Sequence, residues 1–441
     1  MEKIILVGNG ARENAIADAL IKGGAEIYAY MQLLNPGIRK SAKKYEIGKL
    51  DDSSAIVKFA KENEVKLAVI GPEAPLAAGV VDALEKEGIG CVGPTKALAQ
   101  LETSKSFTRE LLKKHNIDVS PKFGVFMEAK GIAEFLEELG TYVIKPDGLT
   151  GGKGVKVFGE HIMSHDEGLK YCEEVLETHP RVVIEEKLEG EEFSLQSLTD
   201  GESFLHFPPV QDHKRAFDGD KGPNTGGMGS YSDADLLLPF LEDEDVREAE
   251  KVTERVAAAI KKDYRPYRGV MYGGFIKTAK GVKLIEYNAR LGDPEAMNVL
   301  PLLKTNFTEV CKAVAEGKLG KIDAEFERKA TVCKYVVPEG YPDSPKAGRI
   351  EVPTYEKGGI KALVYYAAVD EKEDGIYMTK SRGVAFVGMG RSLQEAEKIA
   401  EQAAEKVKGG VFHRKDIGTE NLISKRIEHI RKITGGKNER K

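Results

Sequence analysis

The stretch LIEYNARLGDPE, residues 284–295, sets Glu286, Asn288 and Arg290 two apart. On a strand these three share one face. They make a poor core, and without chemistry they would be the polar face of an exposed sheet. As chemistry, Glu286 and Asn288 are hard oxygen ligands suited to a Mg²⁺ that also binds the phosphates of ATP. Arg290, next along, offers a planar fork for a carboxylate. The turn that follows points Asp293 back toward the same centre.

Three further stretches carry unusual residue types. IKPDGLTGGKGVKV, 144–157, is not a Walker loop, because Asp147 stands where glycine is required and Gly154 where Ser or Thr is required. It reads as a glycine-rich turn between two strands, with Lys145 on the first strand and Lys153 beside Gly152 in the turn. Such glycines let backbone amides approach phosphate oxygens, and the lysines add positive charge. VVIEEKLEGEEFS, 182–194, places Glu185 and Glu192 seven apart with Leu188 between them. It is either an acidic surface loop or a hinge that offers backbone groups to an adenine edge and a carboxylate to a ribose. QDHKRAFDGDKGPNTGGMGSYS, 211–232, reads as a long irregular loop, and such loops are usually functional or disordered. Its Asp212, His213, Lys214 and Arg215, followed by GPNTGGMG, suit an anionic substrate under a closing loop. A lone His213 is weak ground for acid–base catalysis.

GNGAREN, 8–14, follows the first apolar run. It lacks the third glycine of a dinucleotide fingerprint, and the acid expected at the end of the second strand is missing, since Glu26 sits at its start. That speaks against a nicotinamide-dependent oxidoreductase. The stretch is either a plain βα turn or a helix N-terminus offering N–H groups to one phosphate.

The elements that must position these groups follow from periodicity. Strands over 3–7, 26–30, 67–70 and 88–92 alternate with helices over 11–22, 53–62 and 77–87, giving a parallel α/β domain whose turns lie at the carboxyl edge of the sheet. A connecting helix covers 104–115. Strands flank the glycine-rich turn over 142–158, followed by a helix over 166–177 and a strand over 181–186. Strands dominate from 192 to 309, interrupted by the 211–232 loop and a helix over 245–262. The last part is β-rich over 330–337, 362–369 and 383–388, with an amphipathic helix over 392–407.

At 441 residues the chain needs more than one core. Its 41% hydrophobic residues can fill several, and its net charge of −5 argues against a general nucleic-acid binder. Cys91, Cys172, Cys311 and Cys333 are too scattered for a disulfide framework or zinc site, which fits a reducing cytosol. No window approaches ~20 uninterrupted apolar residues, so no membrane helix is expected. A cytoplasmic monomer is expected, as no heptad or apolar stripe announces a partner. The basic run 425–441 reads as a solvated helix with a frayed tail.

In this order the motifs resemble the phosphoribosylamine–glycine ligases (glycinamide ribonucleotide synthetases) of the ATP-grasp superfamily. The likeness runs from GNGAREN through GPEAPL, GPTKALAQLETSKSFT, VIKPDGLTGGKGVKV, IEEKLEGEEFS and QDHKR…GPNTGGMG to IEYNARLGDPEA and GVFHRKDIG, nearly all of 1–418. It implies an α/β and α+β multidomain fold with a parallel α/β domain over 1–103 and an ATP-grasp body over 104–327. Within the body a small lid spans about 120–190. A β-rich C-terminal domain over 328–418 and a tail over 419–441 complete the chain.

The resemblance further implies that ATP and Mg²⁺ or Mn²⁺ drive the joining of glycine to 5-phosphoribosylamine through a glycyl phosphate, in purine synthesis. Carried over, Lys105, Lys145, Gly152 and Lys153 meet ATP phosphates, Glu185 and Leu188 the adenine, and Glu192 the ribose. Glu286 and Asn288 hold the metal. Arg290 binds the glycine carboxylate, and Asp212, Lys214 and the turn Thr225, Gly226, Gly227 frame the acyl phosphate. Gly10, Arg12, Pro72, Glu73 and Asp293 line the phosphoribosylamine site. One departure is that Gly273 and Gly274 stand where many ATP-grasp enzymes carry another metal ligand. Another ATP-grasp ligase and a non-catalytic nucleotide-binding regulator are the competing readings.

Overall fold

The structure is a computed structural model that describes residues 1–149, 154–353, 356–357 and 360–436. Its first unit is a parallel five-stranded sheet in the order Lys44–Ile47, Glu26–Met31, Lys3–Val7, Leu67–Ile70, Gly90–Val92. The run KIILV can be apolar throughout because both faces are covered. Ile4 and Leu6 enter one core, while Ile5 and Val7 enter another with Ile56, Phe59 and Leu84. The edge strand Lys44–Ile47 is exposed and charged, so its apolar signal is too weak to read from sequence. The helix expected over 77–87 is two helices, Glu73–Ala78 and Val80–Lys86, broken at Gly79 with φ of +86°.

Residues 123–186 contribute a second sheet, ordered Phe123–Phe126, Val182–Glu186, Tyr142–Pro146, Lys156–Val157. With the helices Ile132–Leu139 and His165–Thr178 it has a core of its own, built on Leu136, Tyr142, Ile144, Cys172 and Ile184. The third sheet is antiparallel, ordered Phe204–His206, Glu191–Thr199, Gly269–Thr278, Gly281–Asn288.

The stretch 211–232, expected as an irregular loop, is instead ordered. Gln211–Asp212 and Gly229–Ser232 are strands of the C-terminal sheet, which continues through Ala330–Pro338, Val384–Gly390 and Leu363–Tyr366. Between them Arg215–Phe217 and Lys221–Asn224 form a hairpin. Long-range pairing decides this: Ser230 lies opposite Cys333, a partner 103 positions away that local pattern does not reveal.

The tail is a helix as expected, but it is docked rather than solvated. Glu420–Thr434 is a helix that buries Leu422, Ile423 and Ile430. Arg426 pairs with Asp220 and reaches Glu191 at 3.4 Å, and His429 Nδ1 lies 2.6 Å from the same glutamate. No described helix is long and apolar enough to cross a membrane. The four cysteines are free and buried.

Candidate active site

Glu286 and Asn288 end the strand Gly281–Asn288. Strict alternation from the buried Val282 and Leu284 would put Glu286 on their side. A bulge prevents it: Gly274 faces Glu286 while Phe275 faces Leu284, leaving Ile285 as the extra residue. Beyond the bulge Tyr287 and Ala289 are buried, and Glu286, Asn288 and Arg290 are turned the other way. Arg109 secures the bulge, donating to the carbonyls of Leu284 at 3.0 Å and Ile285 at 2.7 Å.

The same guanidinium donates through Nε to Glu185 Oε1 at 2.7 Å, and Lys145 Nζ donates to Glu185 Oε2 at 2.6 Å. Burial alone would raise the Glu185 carboxyl, but Arg109 and Lys145 outweigh it and bring it down to about 2. The side chain of Glu185 is therefore committed to two cations, which leaves its backbone for any adenine contact.

Lys105 opens the helix Lys105–Lys114, capped by Ser104. Its Nζ donates to the Gly148 carbonyl at 2.8 Å, and burial lowers its pKa. Asp147 joins this helix to the glycine-rich turn by accepting from Ser106 N at 3.2 Å and from the Ser104 and Ser106 hydroxyls. Thr150, Gly152 and Lys153 lie outside the described residues. Leu188 is half-buried in the link between Val182–Glu186 and Glu191–Thr199, and Glu192, exposed, faces Lys214 Nζ at 3.4 Å.

Glu286 sits among these cations. Burial would raise its carboxyl, yet Lys214, Lys145, Lys105 and Arg290 hold it below the usual range. Among the described residues no hydrogen bond or ion pair engages that carboxylate. Beside it, Asn288 Oδ1 lies 3.5 Å from Arg290 Nη2. Opposite Glu286, a Cβ on Gly274 would come within 3.4 Å of Glu286 Cγ. No group of three His, Cys, Asp or Glu able to hold a metal occurs among the described residues. Two oxygen ligands fit a Mg²⁺ that keeps waters and takes its other ligands from nucleotide phosphates.

Arg290 is fixed by Glu102 Oε1 at 3.1 Å and Glu73 Oε2 at 3.5 Å, and its buried Nε has no hydrogen-bond partner among the described residues. Burial raises the Glu102 carboxyl against the pull of Arg290. The loop after Asn288 is pinned along its length. Ala289 N donates to Glu102 at 2.8 Å, Gly292 N to Gln196 at 2.7 Å, and the Tyr272 hydroxyl to Glu295 at 2.7 Å. Arg12, buried and paired with Glu13 at 2.5 Å, donates to the Leu291 carbonyl at 3.1 Å. Glu13 also accepts from Gly10 N at 2.6 Å, and a Cβ on Gly8 would strike both Glu13 and Pro72. The first βα turn, the GPEAP turn and the LGDPE loop thus meet at one place.

Asp212 lies against the turn 225–229. Burial and the nearby Glu295 raise its carboxyl well above the ordinary value, and its Oδ1 accepts from His213 N at 2.7 Å. Gly227 has φ of +107°, and a Cβ there would lie 2.7 Å from both Asp212 Oδ1 and Pro294 Cδ, so the position requires glycine. Thr225 Oγ1 bridges the turn, donating to the Lys214 carbonyl at 2.8 Å and accepting from Gly227 N at 3.0 Å. His213 faces away from this site. Both its ring nitrogens are buried without hydrogen-bond partners among the described residues, and burial, aided by Arg414 and Arg426, pushes its pKa down to about 3.

Family models cover most of the chain in consecutive segments. Residues 2–102 match the N domain of phosphoribosylglycinamide synthetase, 103–296 its ATP-grasp (A) domain and 331–420 its C domain. The chain belongs to that family. The phosphoribosylamine–glycine ligase of Methanobrevibacter smithii is 49% identical over 437 residues, covering 98% of this chain and 99% of that protein. That of Methanocaldococcus jannaschii is 49% identical over 443 residues, with 98% and 99% covered. Among solved structures, the phosphoribosylamine–glycine ligase of Thermotoga maritima superposes with a TM-score of 0.80 at 29% identity, covering 94% of this chain and 99% of that one. The biotin carboxylase domain of the Hydrogenobacter thermophilus 2-oxoglutarate carboxylase, in complex with MgADP, shares the fold with a TM-score of 0.72 at 17% identity. It covers 99% of this chain and 95% of that one.

Sequence reasoning missed Arg109, Glu102, Glu13 and Arg382. Arg109 carried a signal, since it occupies the buried phase of its helix with Leu112. Arg382 carried none: its partners Gly226, Gly227 and Asp293 lie between 89 and 156 residues away.

Proposed function

We infer that this chain is an ATP-dependent carboxylate–amine ligase that joins glycine to 5-phosphoribosylamine, giving glycinamide ribonucleotide, ADP and phosphate in purine synthesis. One observation carries the reading: among the described residues the carboxylate of Glu286 has no hydrogen-bond or ion-pair partner amid four cations, beside an arginine held ready by Glu102 and Glu73.

A carboxylate resists attack by an amine, so it must be activated. A glycine carboxylate oxygen attacks the γ-phosphorus, the bond to the β,γ-bridging oxygen breaks, and ADP leaves. The amine of phosphoribosylamine then attacks the acyl carbon, phosphate departs with its bonding pair, and the new amide nitrogen releases a proton. Both steps gather negative charge, so the protein acts by neutralisation and positioning.

In this scheme Lys105, Lys145 and, from its place in the sequence, Lys153 beside Gly152 neutralise ATP phosphates. Glu185 fixes Lys145 and offers backbone to the adenine with Leu188, and Glu192 takes the ribose. Glu286 and Asn288 would hold Mg²⁺ or Mn²⁺, which supplies Lewis-acid neutralisation of the phosphates when bound. Arg290 takes the glycine carboxylate. Asp212, Lys214, Thr225, Gly226 and Gly227 border the acyl phosphate, while Gly10, Arg12, Pro72, Glu73 and Asp293 border the phosphoribosylamine.

ADP release that requires glycine, Mg²⁺ and freshly made phosphoribosylamine together is the expected result. Turnover that ignores phosphoribosylamine would overturn the assignment. Hydroxylamine added without the amine substrate should trap glycine hydroxamate if the acyl phosphate forms.

A further inference from the structure

Arg382 reaches the site from the turn before Val384–Gly390, in the last third of the chain. A single nitrogen, Nη1, donates to the carbonyls of Gly226 at 2.6 Å, Gly227 at 3.2 Å and Asp293 at 2.9 Å, and lies 3.2 Å from Asp293 Oδ1. Its guanidinium lies over the Tyr335 ring, 4.5 Å from the centroid, and the Tyr335 hydroxyl donates to Asp293 Oδ1 at 2.5 Å. The guanidinium lies close against Gly226: a Cβ there would stand 3.2 Å from its Cζ. On its other side the turn meets Asp212 and Pro294, so it is held between two walls.

We propose that Arg382 is the positioning residue that locks the Thr225–Gly229 turn to the Asp293 loop, holding the acyl phosphate beside the amine that consumes it. The proposal deepens the ligase reading and rests on it. Three carbonyls on one cation leave the two backbone segments a single relative arrangement. They also aim the opposite edges of those peptides away from Arg382, so Gly227 N can reach Thr225 and Met228 N can reach His213 O at 2.8 Å. A lysine could keep the ion pair with Asp293, but it cannot stack on Tyr335 or present a planar fork. Loosening the turn by about 1 Å would cost ~100-fold in the second step, leaving the activated intermediate exposed to water.

The readout is coupling. Intact enzyme should release ADP and glycinamide ribonucleotide in equal amounts. Arg382→Lys and Arg382→Ala should release ADP in clear excess over product, with the ATP requirement unchanged. Ethylguanidinium should restore part of the coupling in Arg382→Ala. Tyr335→Phe, which keeps the arginine and loses only the bond to Asp293, should fall between. If Arg382→Ala does not fold, Arg382→Lys and Tyr335→Phe carry the test. Equal ADP and product in folded variants, with rate alone reduced, would overturn the proposal and leave Arg382 a structural residue. Failure of the unaltered enzyme to depend on phosphoribosylamine would instead overturn the ligase reading.

Discussion

Glu185, on a strand of the 123–186 sheet, and Glu286, on a strand of the antiparallel body sheet, are both acted on by the same lysine, Lys145. Glu185 is saturated, with Arg109 on one oxygen and Lys145 on the other. Glu286 has Lys214, Lys145, Lys105 and Arg290 near it and no bond to it among the described residues. The first arrangement is a finished interaction; the second is the one that, in our proposal, a metal ion completes. A partnered buried carboxylate sets geometry; an unpartnered one in a cationic field binds what arrives with the missing charges.

Glutamine at each position should separate the two regions. Glu286→Gln should lower turnover the most, by ~100- to 1,000-fold, and raise the Mg²⁺ requirement, with melting changed far less. Steady-state kinetics over a metal titration check this.

Glu185→Gln should act mainly on stability, costing about 3–5 kcal/mol because Arg109 and Lys145 lose their buried partner. The folded carboxyl titrates near 2 against an ordinary 4.5, so this stabilisation is whole above about pH 4.5 and fades as pH falls toward 2. Urea unfolding at several acid pH values should show a steeper slope in the parent chain than in the variant.

Arg290→Ala should raise the glycine requirement by ~10- to 100-fold and change kcat less, as expected for loss of a bidentate carboxylate contact. Kinetic defects identical to those of Glu286→Gln would dissolve the division between phosphate and carboxylate sides.

The smallest effect on activity concerns His213, outside both regions. It is neutral in the fold with a pKa of about 3 against 6.5 unfolded, so its contribution is full above about pH 6.5 and is lost as pH falls toward 3. His213→Gln should flatten the stability profile across that window and leave activity near neutral pH almost unchanged. A retained slope would place the titration elsewhere.

Legibility in the sequence followed the range of the interactions. Ile4 to Val7 and the shared face of Glu286 and Asn288 were readable because period and residue type act within a few positions. The hairpin at 215–224 was hidden because the strand that follows it, Gly229–Ser232, pairs with Ala330–Pro338, about a hundred residues on. The docking of Glu420–Thr434 was hidden because Arg426 answers Glu191 and Asp220, which lie over two hundred residues earlier.

The sequence by itself determined the chemical inventory. Oxygen ligands, cations and glycines stand at spacings that only strands and tight turns present together, and local sterics enforce those spacings. Tertiary structure alone decided which groups are free to react. It placed a bulge at Ile285 that turns Glu286 out of the core, gave Glu185 two partners and Glu286 none among the described residues, and brought Arg382 against Gly226. Those outcomes depend on desolvation and on charges from distant segments, and neither exists until the chain has folded.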